Sequence, residues 1–418
     1  MSPSAAQLDE QRLARAALTY LAEPGDPALG ALLAICEPAE VLAAIKAGML
    51  PGTGPGCGDT AASRAALERA LGRWRLRLPE LPDDAGVVAA SRDDIRLICP
   101  GDPEWPGGLD DLGRARPYAL WLRGRSDLGG SSLRSVSMVG SRAATGYGTH
   151  VAGEIAADLG ERGWTIVSGG AYGIDAAVHR GALVTQAITI AVLACGVDYP
   201  YPAGHADLFA NIAAEGLVVS EWPPGRRPAR LRFLVRNRVI ASLTSGTVVV
   251  EAGERSGALN TARHAAGLGR VLMAVPGPVT SAQSAGCHRL IRDWGATLVT
   301  RAADIIEMLS PIGTADVPTA DPAKRPRPPS VGLPACGPPD QGAPPSDSLP
   351  SRDDLDEDSA RVLDAFPARA HVWPATIAVD AGVDLDTVLR CLGPLAAYGF
   401  IERCDNGWRL RRPGPPGR

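Results

Sequence analysis

Seven short apolar runs, separated by helix-length amphipathic segments, constrain the fold of this chain more than any other feature. They lie between residues 134 and 309 and comprise SVSMV, WTIVS, TIAVLA, LVVSE, TVVVEA, VLMAVP and ATLVT. Runs that are apolar at nearly every position predict strands covered on both faces, as in a parallel sheet. The segments between them are long enough for right-handed helical crossovers. The pattern therefore predicts an α/β domain with a doubly wound parallel sheet.

The sequence on either side of this region predicts three further parts. Ala/Leu/Arg periodicity between residues 8 and 78 predicts several short helices, a small all-α unit. Residues 311–350 are too rich in proline and too poor in large apolar side chains to bury a core, and predict a semi-extended linker. The last part holds three helix-like segments and two short strands around an Asn-Gly turn, the pattern of a winged helix. We place the four parts at 1–90, 91–310, 311–352 and 353–412.

A short piece before the parallel sheet contains one more strand candidate, IRLICP, followed by Trp105, Tyr118 and Trp121. Large aromatic side chains dominate core contacts. We expect these three to pack this piece against the α/β domain.

The charge of the chain excludes a globally basic nucleic-acid binder. The formal net charge is −4, yet six arginines lie within the thirteen residues 226–238. A polyanion site must therefore be a local concentration of basic groups, and this run is the main candidate.

Cysteine and targeting patterns argue for a cytoplasmic protein without metal or cofactor. The eight cysteines include no C-x-x-C pair and no Cys/His cluster with zinc spacing. The N-terminal residues lack a basic region followed by an apolar core, and no window is long and apolar enough to span a bilayer. We expect reduced packing thiols and no membrane contact.

The turns after the first two strands of the α/β domain are rich in glycine, at the sheet edge where ligands bind in such folds. The first is GSRAATGYG and the second is SGGAYGID. Glycines let the backbone approach an anion closely, and the following helix offers free N–H groups. We expect phosphate contacts from Gly140, Ser141, Arg142, Ser168, Gly169, Gly170 and Gly173, with Asp175 lining the pocket. Neither turn is a dinucleotide fingerprint or a P-loop, so tight turns alone remain an alternative.

The fifth strand ends near Glu251 and is followed by AGERSGALNTARHA. We expect Glu251, Ser256, Gly257 and Thr261 to line the mouth of the same pocket. For Glu251 the alternative is a carboxylate satisfied by neighbouring backbone N–H groups or by an arginine.

The arginine run predicts a helix with an apolar stripe and a basic rim. Arg232, Arg236 and Asn237 fall largely off the stripe. No acidic residue lies between Glu221 and Glu251, and the planar guanidinium suits phosphate, so phosphate binding is favoured for Arg232, Arg236, Asn237 and Arg238. The alternative is a solvated face at Arg226, Arg227 and Arg230, with Arg238 paired to a buried carboxylate such as Glu251.

No catalytic constellation is evident. The sequence offers no Ser-His-Asp order and no obvious pair of catalytic carboxylates, and His179 is expected to be a packed or capping histidine. A binding protein is therefore favoured over an enzyme.

At these residues the sequence resembles the DNA-processing protein A (DprA, also called Smf) family. The resemblance covers about residues 95–309 and rests on separated motifs in the family's order: VGSR, SGGAYGIDAAVHRGAL, TIAVLACGVDYPYP, VVSEWPPG, FLVRNRVIASLT, VVVEAGERSGALNTARHA and AVPGPVTSAQSAGC. It implies an extended Rossmann-like domain, here with an N-terminal helical unit of the SAM or HhH kind and a C-terminal winged-helix domain. It also implies single-stranded DNA binding, a homodimer, and loading of the RecA recombinase in natural transformation or related recombination. By this resemblance Arg142, Arg236 and Arg238 contact the DNA backbone.

The chain departs from the family pattern at several positions. Leu234 replaces the usual proline of F-P-x-R-N-R, His205 replaces a frequent asparagine, and Ile188 and Tyr172 stand where basic residues are common. Aromatic side chains stack on the bases of single strands. Tyr172 is therefore expected to stack on a base.

Two other functions compete with single-strand binding. SGTVVVEA with glycine-rich loops also resembles nucleotide-binding enzymes of the lonely-guy type, which hydrolyse nucleoside monophosphates, with Gly246, Thr247 and Glu251 lining the pocket. A winged helix suggests a duplex-DNA regulator. Residues 353–410 hold eleven acidic and five basic residues, so we expect this unit to contact a protein instead.

Overall fold

The computed structural model describes residues 5–50, 61–83, 94–310 and, with gaps, 359–410. The chain divides into two compact units, Met1–Arg325 and Pro326–Arg418. The predicted linker, 311–352, lies outside the described residues.

The N-terminal part is helical, as predicted. It contains α1 (Ala5–Leu21), α2 (Pro27–Leu32), α3 (Pro38–Ala47), α4 (Ala61–Arg75) and a 3-10 helix (Leu78–Glu80). Asp26 caps α2, because its side chain accepts hydrogen bonds from the N–H groups of Ala28 and Leu29. These helices bury a core of their own, which includes Leu18, Leu29, Leu32, Ile45 and Trp74.

A nine-stranded sheet forms the centre of the first unit. Its strands are β1 (Ile95–Ile98), β2 (Leu120–Arg123), β3 (Ser135–Val139), β4 (Thr165–Ser168), β5 (Thr189–Leu193), β6 (Leu217–Ser220), β7 (Gly246–Val249), β8 (Val271–Ala274) and β9 (Thr297–Leu298). Their order is β1-β2-β6-β5-β4-β3-β7-β8-β9. The seven strands from β6 to β9 are parallel. The predicted doubly wound α/β fold is confirmed.

Helices flank the strands of the sheet, and most of them connect one parallel strand to the next. They are α5 (Leu128–Leu133), α6 (Gly146–Glu161), α7 (Ile174–Val184), α8 (Ala206–Glu215), α9 (Arg230–Ser242), α10 (Ala258–Gly267), α11 (Ala285–Trp294) and α12 (Ala302–Leu309), with 3-10 helices at Gly107–Ala115 and Ala203–His205. One core cluster contains Val139, Val167, Val239 and Val249, and another contains Val136, Ile155 and Val248.

The strand order reverses at β3. The chain moves outward from β3 through β4, β5 and β6, then returns to place β7 on the other side of β3. A crevice opens at such a point outside the carboxyl ends of the strands. The turns after β3 and β7 therefore meet at a potential ligand site.

The piece before β3 extends the sheet rather than only packing against it. β2 pairs antiparallel with β6, with Trp121 opposite Ser220, and β1 pairs antiparallel with β2. Trp121 is buried there as predicted, but the strand that contains it was not predicted. Tyr118 packs with the N-terminal helices instead of the α/β core, and its hydroxyl donates to the Glu23 carbonyl at 3.1 Å.

The second unit has the elements of the predicted winged helix. The structure describes α13 (Pro374–Ala381), α14 (Leu385–Ala397) and the antiparallel hairpin of β10 (Ile401–Cys404) and β11 (Gly407–Leu410). Helical residues also occur at Val362 and Leu363 in the first predicted helix. Val362, Phe366, Ile377, Val388 and Leu392 belong to its core.

Candidate nucleic-acid interface

A pocket of about 940 Å³ lies at the crevice between the ends of β3 and β7, beside α9. Nine of the predicted site residues line it: Gly140, Ser141, Arg142, Asp175, Arg236, Asn237, Ser256, Gly257 and Thr261. The fold therefore brings together predicted site residues from four separate segments of the chain.

The turn after β3 is held rigidly at the pocket wall. The Ser141 N–H donates to the carbonyl of Glu251 at 2.7 Å, and the Ser141 hydroxyl donates to Gln283 at 2.9 Å. Gly140 has no room for a side chain, since a Cβ there would lie 2.5 Å from Ile174. Glycine at this position is thus required by close packing with α7.

Glu251 holds the same turn from behind. Its buried carboxylate accepts hydrogen bonds from the N–H and the hydroxyl of Thr145, at 2.9 and 2.6 Å. Thr145 in turn caps α6. Glu251 is not among the residues that line the pocket, and its carboxylate is satisfied locally, as the alternative interpretation proposed.

Arg236 brings a buried positive charge to the pocket. Its guanidinium donates to the carbonyl of Val192 and lies against Gly169, where a Cβ would come within 2.1 Å of Nη1. Burial lowers the pKa of Arg236 to about 10, a shift that Asp175 opposes and Arg142 reinforces. The side chain remains charged at neutral pH.

Asp175 is the buried acidic neighbour of Arg236. Its carboxylate accepts a hydrogen bond from the Ala171 N–H at 3.3 Å. Burial raises the pKa of Asp175, and the charge of Arg236 counteracts part of that rise. The opposite charges of Asp175 and Arg236 therefore influence each other at the wall of the pocket.

Of the three other arginines of α9, Arg230 lines the pocket, and Arg232 and Arg238 are occupied elsewhere. Arg232 forms an ion pair with Glu23 at 2.7 Å and lies over the Trp222 ring at 5.6 Å. Arg238 forms a buried ion pair with Glu221 at 2.6 Å. Neither lines the pocket. A carboxylate does neutralise Arg238, as the alternative predicted, but it is Glu221 and not Glu251.

The sequence analysis did not predict that Phe233 and Tyr201 line the pocket. The guanidinium of Arg142 lies 4.9 Å from the ring centroid of Phe233, and Tyr201 packs on the same ring at 5.6 Å. Phe233 was visible as the one aromatic residue within the arginine run. Arg255 and Gln283 also line the pocket and had no distinguishing pattern.

The second glycine-rich turn lies beside the pocket. Ser168, Gly169, Gly170, Tyr172 and Gly173 do not line it, although Ala171 does. Ser168 is buried and donates to the carbonyl of Met138 at 2.7 Å. Gly170 and Gly173 have φ of 71° and 78°, which favours glycine. These residues therefore shape the turn.

Tyr172 projects from that turn. Its side chain is 52% exposed, and its ring meets His205 edge-on with centroids 4.6 Å apart. His205 is buried, and its Nδ1 lies 3.1 Å from the carbonyl oxygen of Gly170. Two departures from the family pattern thus contact each other and leave an aromatic face exposed near the pocket.

The α/β part of the chain matches a known protein family. The family model for DNA recombination-mediator protein A matches residues 96–310. The chain belongs to this family. A DNA processing protein DprA of Mycobacterium tuberculosis is 42% identical over 417 residues, covering 97% of this chain and 96% of that protein.

This recombination-mediator family member is also similar to DprA of Streptococcus pneumoniae, both in sequence and in a solved structure. Its DNA processing protein DprA is 40% identical over 205 residues, covering 49% of this chain and 71% of that protein. The X-ray structure of DprA from the same species superposes with a TM-score of 0.56 at 29% identity, covering 74% of this chain and 99% of that chain. The suspected family is confirmed.

The alternative enzyme function is not favoured for this recombination-mediator family member. Gly246 and Thr247 are buried in β7, and neither lines the pocket. His179 is also buried. Burial lowers its pKa to about 3, and its Nδ1 lies 2.8 Å from Thr189 Oγ1.

The described residues contain no cluster of three side chains suited to a metal ion. Among those residues, too, no helix has the length and apolar character needed to cross a membrane.

Proposed function

We propose that this chain binds single-stranded DNA in the pocket at the ends of β3 and β7, by a non-catalytic mechanism. The observation that carries the proposal is the stack of Arg142 on Phe233 at the pocket wall. It places a guanidinium, which suits a phosphodiester, beside a ring that suits a base.

The charge of the pocket supports a polyanionic ligand. Arg142, Arg230 and Arg255 are exposed and line it, and Arg236 adds a buried charge at its base. Arginine contacts with phosphate are charge-assisted and geometrically specific. Arg232 and Arg238 support binding indirectly, since their ion pairs hold α9 in place.

A single strand fits this arrangement better than a duplex. Stacking on Phe233, Tyr201 or Tyr172 requires a base with a free face, and bases in a duplex are covered on both faces by their neighbours. Unpaired bases splay out onto aromatic side chains.

The broader role in this proposal follows the family. We infer that a cytoplasmic homodimer delivers single-stranded DNA to a RecA-type recombinase, in natural transformation or in related recombination. The family description as a recombination mediator supports this role. The acidic C-terminal unit contributes a protein contact, because its charge disfavours phosphate binding.

The test is fluorescence anisotropy of a labelled single-stranded oligonucleotide and its duplex across a salt series. Preferential single-strand binding with a steep salt dependence, weakened in Arg142→Ala and Arg236→Ala, is expected. Absence of single-strand binding at low salt would refute the proposal. Hydrolysis of ribonucleoside monophosphates would favour the enzyme alternative instead.

A further inference from the structure

A second, smaller pocket lies between the N-terminal helices and the segment that leads into β2. It has a volume of about 240 Å³ and is lined by Arg15 from α1, Leu33 near the end of α2, and Arg114, Arg116 and Tyr118 from the segment before β2. Three of the residues around this small volume carry guanidinium groups. None of the described residues that line it is a carboxylate.

Close backbone packing fixes the walls of this second pocket. A Cβ on Gly30 would lie 1.9 Å from the carbonyl oxygen of Arg114, so α2 packs directly against the segment before β2. Gly113 has φ 56° and ψ −123°, a conformation that turns the chain there. Arg15 Nη1 donates to the carbonyl of Tyr118 at 3.1 Å, which holds its side chain at the pocket.

The positive charge of the second pocket is only partly neutralised. Arg116 donates to Asp110 at 3.0 Å, and Asp110 also accepts from the Trp105 indole at 3.1 Å. Asp102, near Arg15, is occupied by Arg12 at 2.6 Å. No ion pair of Arg114 is found among the described residues.

Burial lowers the pKa of Arg15, and the charge of Arg116 reinforces that shift, while Cys99, Glu37 and Asp102 oppose it. Arg15 and Arg116 line the same small pocket, and their like charges repel each other there. An anion placed between them would relieve this repulsion.

We propose that this second pocket binds a phosphate group, carried by a nucleotide or by a nucleic-acid strand. A phosphate offers several oxygens in the geometry that paired guanidinium forks recognise, whereas a single carboxylate offers two. The site is separate from the pocket at β3 and β7, so it stands whether or not that pocket binds DNA.

The experiment is calorimetric titration of the full-length protein with inorganic phosphate, comparing the native chain with Arg114→Gln/Arg116→Gln. The control is Arg125→Gln/Arg180→Gln, which removes the same charge at two exposed arginines outside both pockets. The first double variant is expected to weaken phosphate binding by roughly tenfold or more, since it removes two charge-assisted contacts. The control should bind like the native chain, and thermal melting of each variant reports on folding.

Two further arms identify the source of the phosphate. If Arg114→Gln/Arg116→Gln also weakens single-stranded oligonucleotide binding, the site is a second backbone contact. If only thymidine monophosphate and inorganic phosphate lose affinity, it is a nucleotide site. The proposal is overturned if the native chain binds no phosphate, if both double variants bind equally well, or if Arg142→Ala alone abolishes phosphate binding.

Discussion

Glu23 and Arg232 form an ion pair of 2.7 Å that joins the end of the first helical segment to α9, beside the DNA-binding pocket proposed above. Glu23 also accepts from Arg77 at 2.9 Å and from the Trp222 indole at 3.1 Å. One carboxylate thus links three parts of the chain. Arg232, which the sequence suggested as a phosphate ligand, is held by the N-terminal helices instead.

Replacing Glu23 by glutamine should lower stability in a pH-dependent way. Burial alone would raise the pKa of Glu23, but hydrogen bonds from Arg232 and Trp222 and the charges of Arg232 and Arg77 outweigh it and lower the pKa. A lowered pKa in the folded state contributes stability above the unfolded value of about 4.3, and this is lost as pH falls through the folded pKa. Because Glu23 is 40% exposed, we expect only about 0.5–1 kcal/mol at pH 7.

Thermal melting from pH 7 down to pH 3 measures this effect. The difference in Tm between native and Glu23→Gln proteins should shrink below about pH 4. Glu10→Gln, at an exposed position on α1, is the matched control. A constant difference across the whole range would contradict the assignment.

Arg142→Ala should weaken single-strand binding mainly through charge. Arg142 is exposed, so the free energy of unfolding should change little. Loss of one phosphate contact lowers the salt slope of the binding constant by about 0.7 for a single strand. Anisotropy titrations at several salt concentrations measure this slope. Arg125→Ala, an exposed arginine outside the pocket, should leave it unchanged; an equal reduction there would mean that only overall charge matters.

Gly169→Ala should disturb Arg236 without removing any charge. The new Cβ would lie 2.1 Å from Arg236 Nη1 and 2.6 Å from Nη2, so the guanidinium must move. Overpacking of this kind costs about 1–3 kcal/mol of stability, and single-strand affinity should fall with it. Gly153→Ala is the control, because its Cβ meets nothing closer than 3.7 Å. Unchanged DNA affinity in a folded Gly169→Ala protein would remove Arg236 from the site.

Tyr172→Ala should reduce single-strand affinity without changing the salt slope. A stacked base contributes about 1–3 kcal/mol, so a loss of roughly tenfold is expected. Tyr172→Phe keeps the ring and should bind almost like the native protein. An oligonucleotide with abasic sites should bind native and Tyr172→Ala proteins equally. A drop in salt slope in Tyr172→Ala would instead indicate an electrostatic role.

The sequence predicted the parallel sheet well because burial on both faces leaves a continuous apolar run. The seven predicted strands formed, with small shifts at their ends. The strand that contains Trp121 was missed, since it is four residues long and pairs with β6, almost one hundred residues later. Only the folded structure brings such partners together.

The sequence located the turns of the candidate site, but it did not reveal the partners of its charged side chains. The glycine-rich turns follow strands, so their positions could be inferred from local pattern. The partners of Arg232 and Arg238 could not be inferred from local pattern, because both partners come from other parts of the fold. Glu23 lies 209 positions from Arg232, and Glu221, which directly follows β6, lies 17 positions before Arg238. Two of the four residues expected to bind phosphate on α9 are therefore used to hold the helix. Phe233 was not predicted as a site residue, because an aromatic residue in an amphipathic helix is usually assigned to the core.

The core shared by the N-terminal helices and the sheet limits how this protein could be divided. Ala16 and Tyr20 of α1 belong to the same apolar cluster as Trp121 and Phe209, while Tyr118 belongs to the core of the helices. A shorter protein that began at residue 91 would expose this surface to water and leave Arg232 without its carboxylate. The α/β part is therefore poorly suited to transplantation as a free-standing module, and swapping N-terminal helices between relatives would have to preserve both the apolar seam and an acid at position 23.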